Sequence, residues 1–291
     1  MKSKLQFISA MLIFGTIGLF RRMIPFPSSL IAASRGLIGT LFLILFLLTT
    51  HQKFNWTHSR KSLFPLFLSG TMMGCNWSLL FESYNYTSVA VSTVCYYMAP
   101  VFVILASPVL FKTALTQKKI FCAITAFSGI LLVSGIFTTD FTGLHEITGV
   151  LLGLGAAILY ASVILINKKM SDIQAFDRTV MQLGTSAMVL FPYTLMTEDL
   201  SSLSLNGQTI ILLLITGIVH TGIAYALYFI SIKEMEPESI ALYSYIDPMS
   251  AILFSAFFLQ ESIALIEIIG IVLILGSAVL SEFEHPSKPT N

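Results

Sequence analysis

The sequence predicts an all-α polytopic membrane protein: ten transmembrane helices arranged as two inverted five-helix repeats, with both termini cytoplasmic. Three observations lead there. Of its 291 residues 55% are hydrophobic and only 11% charged, less than half the ~25% charged content of soluble domains. Apolar runs close to the roughly 20 residues that cross a bilayer recur almost without pause. The chain also resembles itself at an offset of half its length.

Ten spans follow in order, at 5–20, 30–50, 63–83, 88–111 and 118–138, then at 147–166, 179–196, 209–232, 238–259 and 263–281. The basic start of the chain leads into an apolar run that ends at Phe20-Arg21-Arg22 with no small-residue cleavage pattern, so it reads as a retained first helix. Barrel strands would appear as ten-residue alternating segments, and lipid leaves helices as the remaining way to satisfy the backbone. With the N-terminus inside, thirteen of the sixteen Lys and Arg residues fall in cytoplasmic connections, as the positive-inside rule requires. The outer connections hold Asp140, Glu146, Glu198 and Asp199.

A net charge of +1 gives no sign of a nucleic-acid partner. Cys75, Cys95 and Cys122 all lie in apolar spans and read as small packing residues, without a disulfide or metal role. Gly70-x-x-x-Gly74 and Gly149-x-x-x-Gly153 favour close helix packing.

An offset of 148 aligns Tyr97 with Tyr245 and Pro100 with Pro248. An offset of 147 aligns Gly70 with Gly217, Leu80 with Leu227, and Arg21-Arg22-Met23 with Lys168-Lys169-Met170. The division is a first repeat at 1–142, a second at 143–284 and a short cytoplasmic tail at 285–291. Five spans per repeat force the halves into opposite orientation, an arrangement that places carrier sites at the repeat interface near the midplane.

The ten spans, the two five-helix repeats and the Ala/Ser-rich helix with a central proline that closes on Leu259-Gln260-Glu261 resemble the EamA family of the drug/metabolite transporter superfamily. The resemblance covers about 5 to 281 and implies a carrier of the cytoplasmic membrane. It further implies a central cavity lined mainly by the first, third and fourth helices of each repeat, and export of amino acids or related metabolites. The acidic residue after the proline helix is kept at Glu261, but its first-half counterpart is Thr113.

The ninth span carries the most chemistry. Asp247, followed by Pro248, lies ~13 Å from its inner end; a carboxylate at that depth usually faces a cavity or a partner. His220 on the eighth span lies ~14 Å from the same side. Together they would handle a coupling proton or a substrate ammonium; alternatively, Asp247 caps backbone groups freed by the proline and His220 is a hydrogen-bonded core residue.

Ser239, Tyr243, Asp247, Ser250 and Phe254 form one stripe, with Tyr245 beside it and Tyr228 on the preceding span. The first half offers Tyr96, Tyr97, Asn76 and Trp77. Aromatics with a few directed polar groups suit a small amphiphilic ligand. Pro100 and Pro248 are the expected hinges. Arg35 and Glu82, near one outer level, are the expected ion pair, as a gate or a structural bridge, with Arg21 and Arg22 competing for Glu82. Glu267 reads as a snorkelling or helix-start charge.

The reading is therefore a secondary active exporter working by alternating access, multi-pass in the inner membrane, without cofactor or metal, as monomer or homodimer. Its partners are a small-molecule substrate, the lipid bilayer and a coupling proton. The alternative from another class is an intramembrane enzyme on a lipid-linked substrate, with Asp247 and His220 as acid/base couple. Drug or sugar transport on the same fold is a further option.

Overall fold

The computed structural model describes residues 2–50, 54, 62–111, 116–133, 144–170, 172–201, 203, 206–235, 240 and 243–282. Thr113, Asp140, Ser239, the division at 142/143 and the 285–291 tail lie outside the described residues. The described secondary structure is helical throughout and falls into ten rods. Six of them are long and apolar enough to cross a membrane: Lys2–Met23, Ser28–Thr49, Leu63–Ser83, Val89–Phe111, Leu144–Lys169 and Gly207–Glu234.

The first rod is α1 (Lys2–Gly15) and α2 (Ile17–Met23), interrupted at Thr16, whose hydroxyl donates to the Ile13 carbonyl. Then follow α3 (Ser28–Thr49) and α4 (Leu63–Ser83). The fourth rod is broken into α5 (Val89–Tyr96) and α6 (Ala99–Phe111). Ser88 starts it by accepting the Val91 N–H, which satisfies a donor that a helix start leaves free. α7 (Gln117–Val133), α8 (Leu144–Lys169) and α9 (Ala175–Thr197) complete the middle of the chain.

The eighth rod starts as α10 (Gly207–Gly217), capped by Asn206, widens into a π-helical turn at Ile218–Ile223, and continues as α11 (Ala224–Ser231). α12 (Ile246–Phe258) and α13 (Leu265–Glu282) end the described chain. Glu267 accepts the Ala264 N–H at 2.9 Å, so of its two readings the helix-start charge is the one realised.

Polarity runs the opposite way to that of a soluble protein. Phe64, Val109, Met196 and Phe257 are each at least 75% exposed, while Arg35, Asn76, Ser92, Gln182 and His220 are buried. Lipid provides the outer surface with its apolar medium.

Contacts between rods come in pairs. α1 packs on α11 as α4 packs on α8, and α1 on α12 as α8 on α5 and α6. α3 meets α9, α5 meets α12, and α7 meets α13. At the last contact a Cβ on Gly129 would stand 2.7 Å from the Gly270 carbonyl oxygen, so small residues set how near these two backbones come.

One end of the bundle is marked by Arg22, which donates to the Thr87 carbonyl and to Glu261, and by Glu82, which accepts from Ser28; it is called the Glu261 end. The other carries Arg178, which donates to the carbonyls of Asn167 and Met170; it is called the Arg178 end.

Both proline rods break before the proline. The first turns at Tyr97–Met98 and resumes at Ala99, and the second turns at Tyr245 and resumes at Ile246. Pro100 and Pro248 therefore sit in the first turn of a new helix, where a missing N–H leaves no bond unmade. The helix breaks thus lie at the tyrosine turns just ahead of Pro100 and Pro248, the residues expected as hinges.

Candidate functional site

The two breaks meet. Tyr97, at the turn of the fourth rod, donates its hydroxyl to Asp247 Oδ2 at 2.6 Å, in the first turn of α12. A cavity of about 620 Å³ opens beside this contact. It is walled by Tyr84, Tyr96, Tyr97, Tyr160, Tyr225 and Tyr228, and Asp247 is the carboxylate among its lining residues. Tyr96 stacks on Tyr160 at 5.2 Å between ring centroids.

Two cations line the cavity, Arg178 at the Arg178 end and, buried on α3 with 5% exposure, Arg35. Its guanidinium lies 4.0 Å over the Trp77 ring, a stacking that favours a flat, weakly hydrated cation. Nε donates to Thr221 Oγ1 at 2.7 Å and Nη2 to the His220 carbonyl at 3.5 Å, which leaves Nη1 for the chamber. Arg35 and Asp247 line the same cavity and make no ion pair with each other among the described residues.

The π-turn explains where Arg35 finds its partners. Widening the helix leaves carbonyls without regular ladder partners. Thr221 Oγ1 donates to the Thr216 carbonyl at 3.1 Å, and His220 Nδ1 stands 3.3 Å from the Ile215 carbonyl. Gly217 and Gly222 bring this turn against α3, where a Cβ would come within 2.4 Å of Ile38 Cβ and Phe42 Cδ1.

Of the sequence-predicted residues, Asp247, Tyr245, Tyr96, Tyr97, Trp77 and Asn76 line the cavity, as do Tyr228, Arg35 and Pro100. His220 does not. It is 1% exposed, its Nε2 is 2.9 Å from Thr16 Oγ1, and the Phe20 ring meets its edge. The π-turn adds a residue to the helix and turns the imidazole toward α2, so the expected pairing with Asp247 is not made. Tyr243 packs with α1 under Lys4, outside the chamber. Pro248 is buried beside it.

Arg35 and Glu82 do not pair either. Arg35 turns inward to Trp77 and Thr221, while Glu82 accepts from Ser28 Oγ at 2.7 Å and Asn85 Nδ2 at 3.1 Å. Among the described residues the ion pair that forms is Arg22–Glu261, at 3.2 Å. Glu261 also accepts the Val89 N–H and so caps α5, a favourable place for an anion.

Sequence reasoning missed Tyr160, Tyr225, Gln182 and Asn167 as wall residues. Gln182 Nε2 donates to both Ser69 Oγ and Asn167 Oδ1 at 2.7 Å. The amide of Gln182 within the apolar span 179–196 was the available signal, because lipid offers it no partner.

The EamA-like transporter family matches the chain over residues 1–135 and 147–283. Among curated proteins, the uncharacterized transporter YxxF of Bacillus subtilis (strain 168) is 29% identical over 285 residues, 98% of this chain and 90% of the relative. The uncharacterized transporter YvbV of the same organism is 24% identical, covering 87% and 82%. Protein PecM of Dickeya dadantii (strain 3937) is 23% identical over 63% of this chain and 61% of its own. A protein of solved crystal structure superposes with a TM-score of 0.65 at 18% identity, over 96% of each chain; that likeness concerns the fold.

Proposed function

Since the chain belongs to the EamA-like transporter family, and so is a multi-pass membrane transporter, we propose that it is a secondary active exporter of amino acids or similar zwitterions. The observation that carries the substrate class is Arg35 and Asp247 in one chamber of tyrosine walls. A free amino acid presents one carboxylate and one ammonium. The open Nη1 of Arg35 suits the first, and Asp247 with the aromatic faces around it suits the second.

The paired contacts between the halves support ten spans in two inverted repeats, 1–142 and 143–284, each half supplying the partner for the other. The basic connections favour cytoplasmic termini and the inner membrane. Alternating access then opens the midplane chamber to one side of the bilayer at a time. Asp247 is the acid that lines this chamber among the described residues, which makes it the carrier of any coupling proton. Family and relatives indicate a transporter rather than an enzyme. The acid/base couple that an intramembrane enzyme would use is also unassembled, because His220 faces Thr16.

Counterflow in liposomes tests the reading. Saturable exchange of labelled amino acids, and none of sugars or cationic drugs, is the expected result. Unsaturable flux, or exchange confined to sugars or drugs, overturns it. Loss of proton-driven uptake in Asp247→Asn supports the coupling role, and unchanged proton drive removes it.

A further inference from the structure

The two ends of the chamber differ in their chemistry. At the Glu261 end, Arg21 is 5% exposed and its Nη2 donates to Ser28 Oγ at 2.8 Å and Asn85 Oδ1 at 3.3 Å. Ser28 and Asn85 both pass their donors on to Glu82 Oε2. One buried cation, one carboxylate and two bridges thus tie α2, α3 and the end of α4 together. None of the four lines the cavity, whose wall stops beneath them at Gly18 and Tyr84.

The repeat offset of 147 carries Arg21, Ser28, Glu82 and Asn85 to Lys168, Ala175, Phe229 and Ile232. Ala175, Phe229 and Ile232 all line the cavity, together with Asn167 and Arg178 near the ends of α8 and α9. The chamber reaches the Arg178 end between the positions that, in the other half, are knotted shut. Lys168 has turned to the ring of Phe111, 4.5 Å from its centroid. An alanine, a phenylalanine and an isoleucine offer no acceptor for it, so the same knot cannot form at this end.

We propose that Arg21, Ser28, Glu82 and Asn85 form a one-sided polar gate, which makes the conformation closed at the Glu261 end and open at the Arg178 end the resting state of the carrier. This rests on the alternating-access reading above. All four gate residues lie in the first half, but α1 and α2 pack on α11 and α12 whereas α4 packs on α8 and α9. Opening the Glu261 end therefore draws the first rod away from α4, separates Arg21 from Glu82 and leaves a buried guanidinium without its counter-charge. Closing the Arg178 end makes no equivalent link between a cation and a carboxylate, because Ala175, Phe229 and Ile232 stand where the other half has Ser28, Glu82 and Asn85. The Arg22–Glu261 pair, seated on the start of α5, adds to the same side.

Cysteine accessibility tests the gate. Thr93, which lines the chamber, is replaced by cysteine in a background with Cys75, Cys95 and Cys122 changed to alanine. A membrane-impermeant maleimide is applied to intact cells and to inside-out vesicles. In the parent, labelling is expected from the Arg178 side and slow from the other. Glu82→Ala should raise labelling from the Glu261 side about tenfold or more, the size expected for losing a charged hydrogen-bonded partner.

Ser28→Ala keeps both charges, should raise it less, and carries the test if the charge variant does not assemble. Both variants labelling like the parent on both sides would overturn the gate and leave the carrier standing. Equal labelling from both sides in the parent, or from neither, overturns the carrier reading and the gate with it.

Discussion

The two broken rods are built alike and equipped differently. Each turns at a tyrosine, Tyr97 or Tyr245, and resumes with a proline in the first turn of the next helix. The second half places Asp247 there; the first half has Ala99 at the corresponding position. Tyr97 then reaches across to the acid that its own rod lacks. The two halves line one chamber with similar breaks, and single differences between them make it chemically one-handed. The same contrast holds at the ends, where the polar knot of Arg21 and Glu82 has no counterpart at the Arg178 end.

The comparison is broken most severely at the acid. Asp247→Ala should weaken binding of a zwitterion by at least about tenfold, as for loss of a charge-assisted contact of 1.5–3 kcal/mol; titration calorimetry on purified protein reads it, and unchanged affinity would remove Asp247 from the site. Next comes Arg35→Lys. An ammonium keeps the charge but not the flat stack on Trp77 or the bond from Nε to Thr221, so affinity should fall by about 1–2 kcal/mol, measured in the same way.

Tyr97→Phe sharpens the picture by cutting the link between the rods. It should destabilise the protein by about 1 kcal/mol in a thermal unfolding scan, with a larger change in exchange rate than in binding. Smallest is Gln260→Gly. Gln260 has φ 53°, in the left-handed region that glycine enters freely. Its turn brings the Glu261 N–H back to the Ser255 carbonyl at 3.4 Å. Relief of that strain should raise stability by at most about 1 kcal/mol, and a loss of stability would show the turn to be unstrained.

Spans and the helical class were legible because lipid forces long apolar runs, and the described rods fall within a few residues of the expected ones. Asp247 was legible as well, since a carboxylate in such a run has few uses. The partners of charged side chains were not. His220 was expected to face Asp247 and faces Thr16 instead, because one π-turn at Ile218–Ile223 shifts the helix face by a residue and a regular 3.6 period cannot anticipate it. Arg35 was placed near the surface beside Glu82, yet its long side chain runs inward to Trp77 and Thr221. Depth along an axis says nothing of where a four-bond side chain ends. Glu261 was noted for its position, but the Val89 N–H that it caps depends on packing between distant rods.

The central claim is that Arg35 and Asp247 read the two charges of one ligand. It is tested most directly by thermal shift of the purified protein with a panel of free amino acids, their N-acetyl forms and their amides, since ligands that bind the folded state raise its apparent stability. The account predicts stabilisation by free amino acids alone, with Asp247→Asn abolishing discrimination against the N-acetyl forms and Arg35→Ala abolishing it against the amides. Equal stabilisation by free and blocked forms, unchanged in both variants, would contradict it.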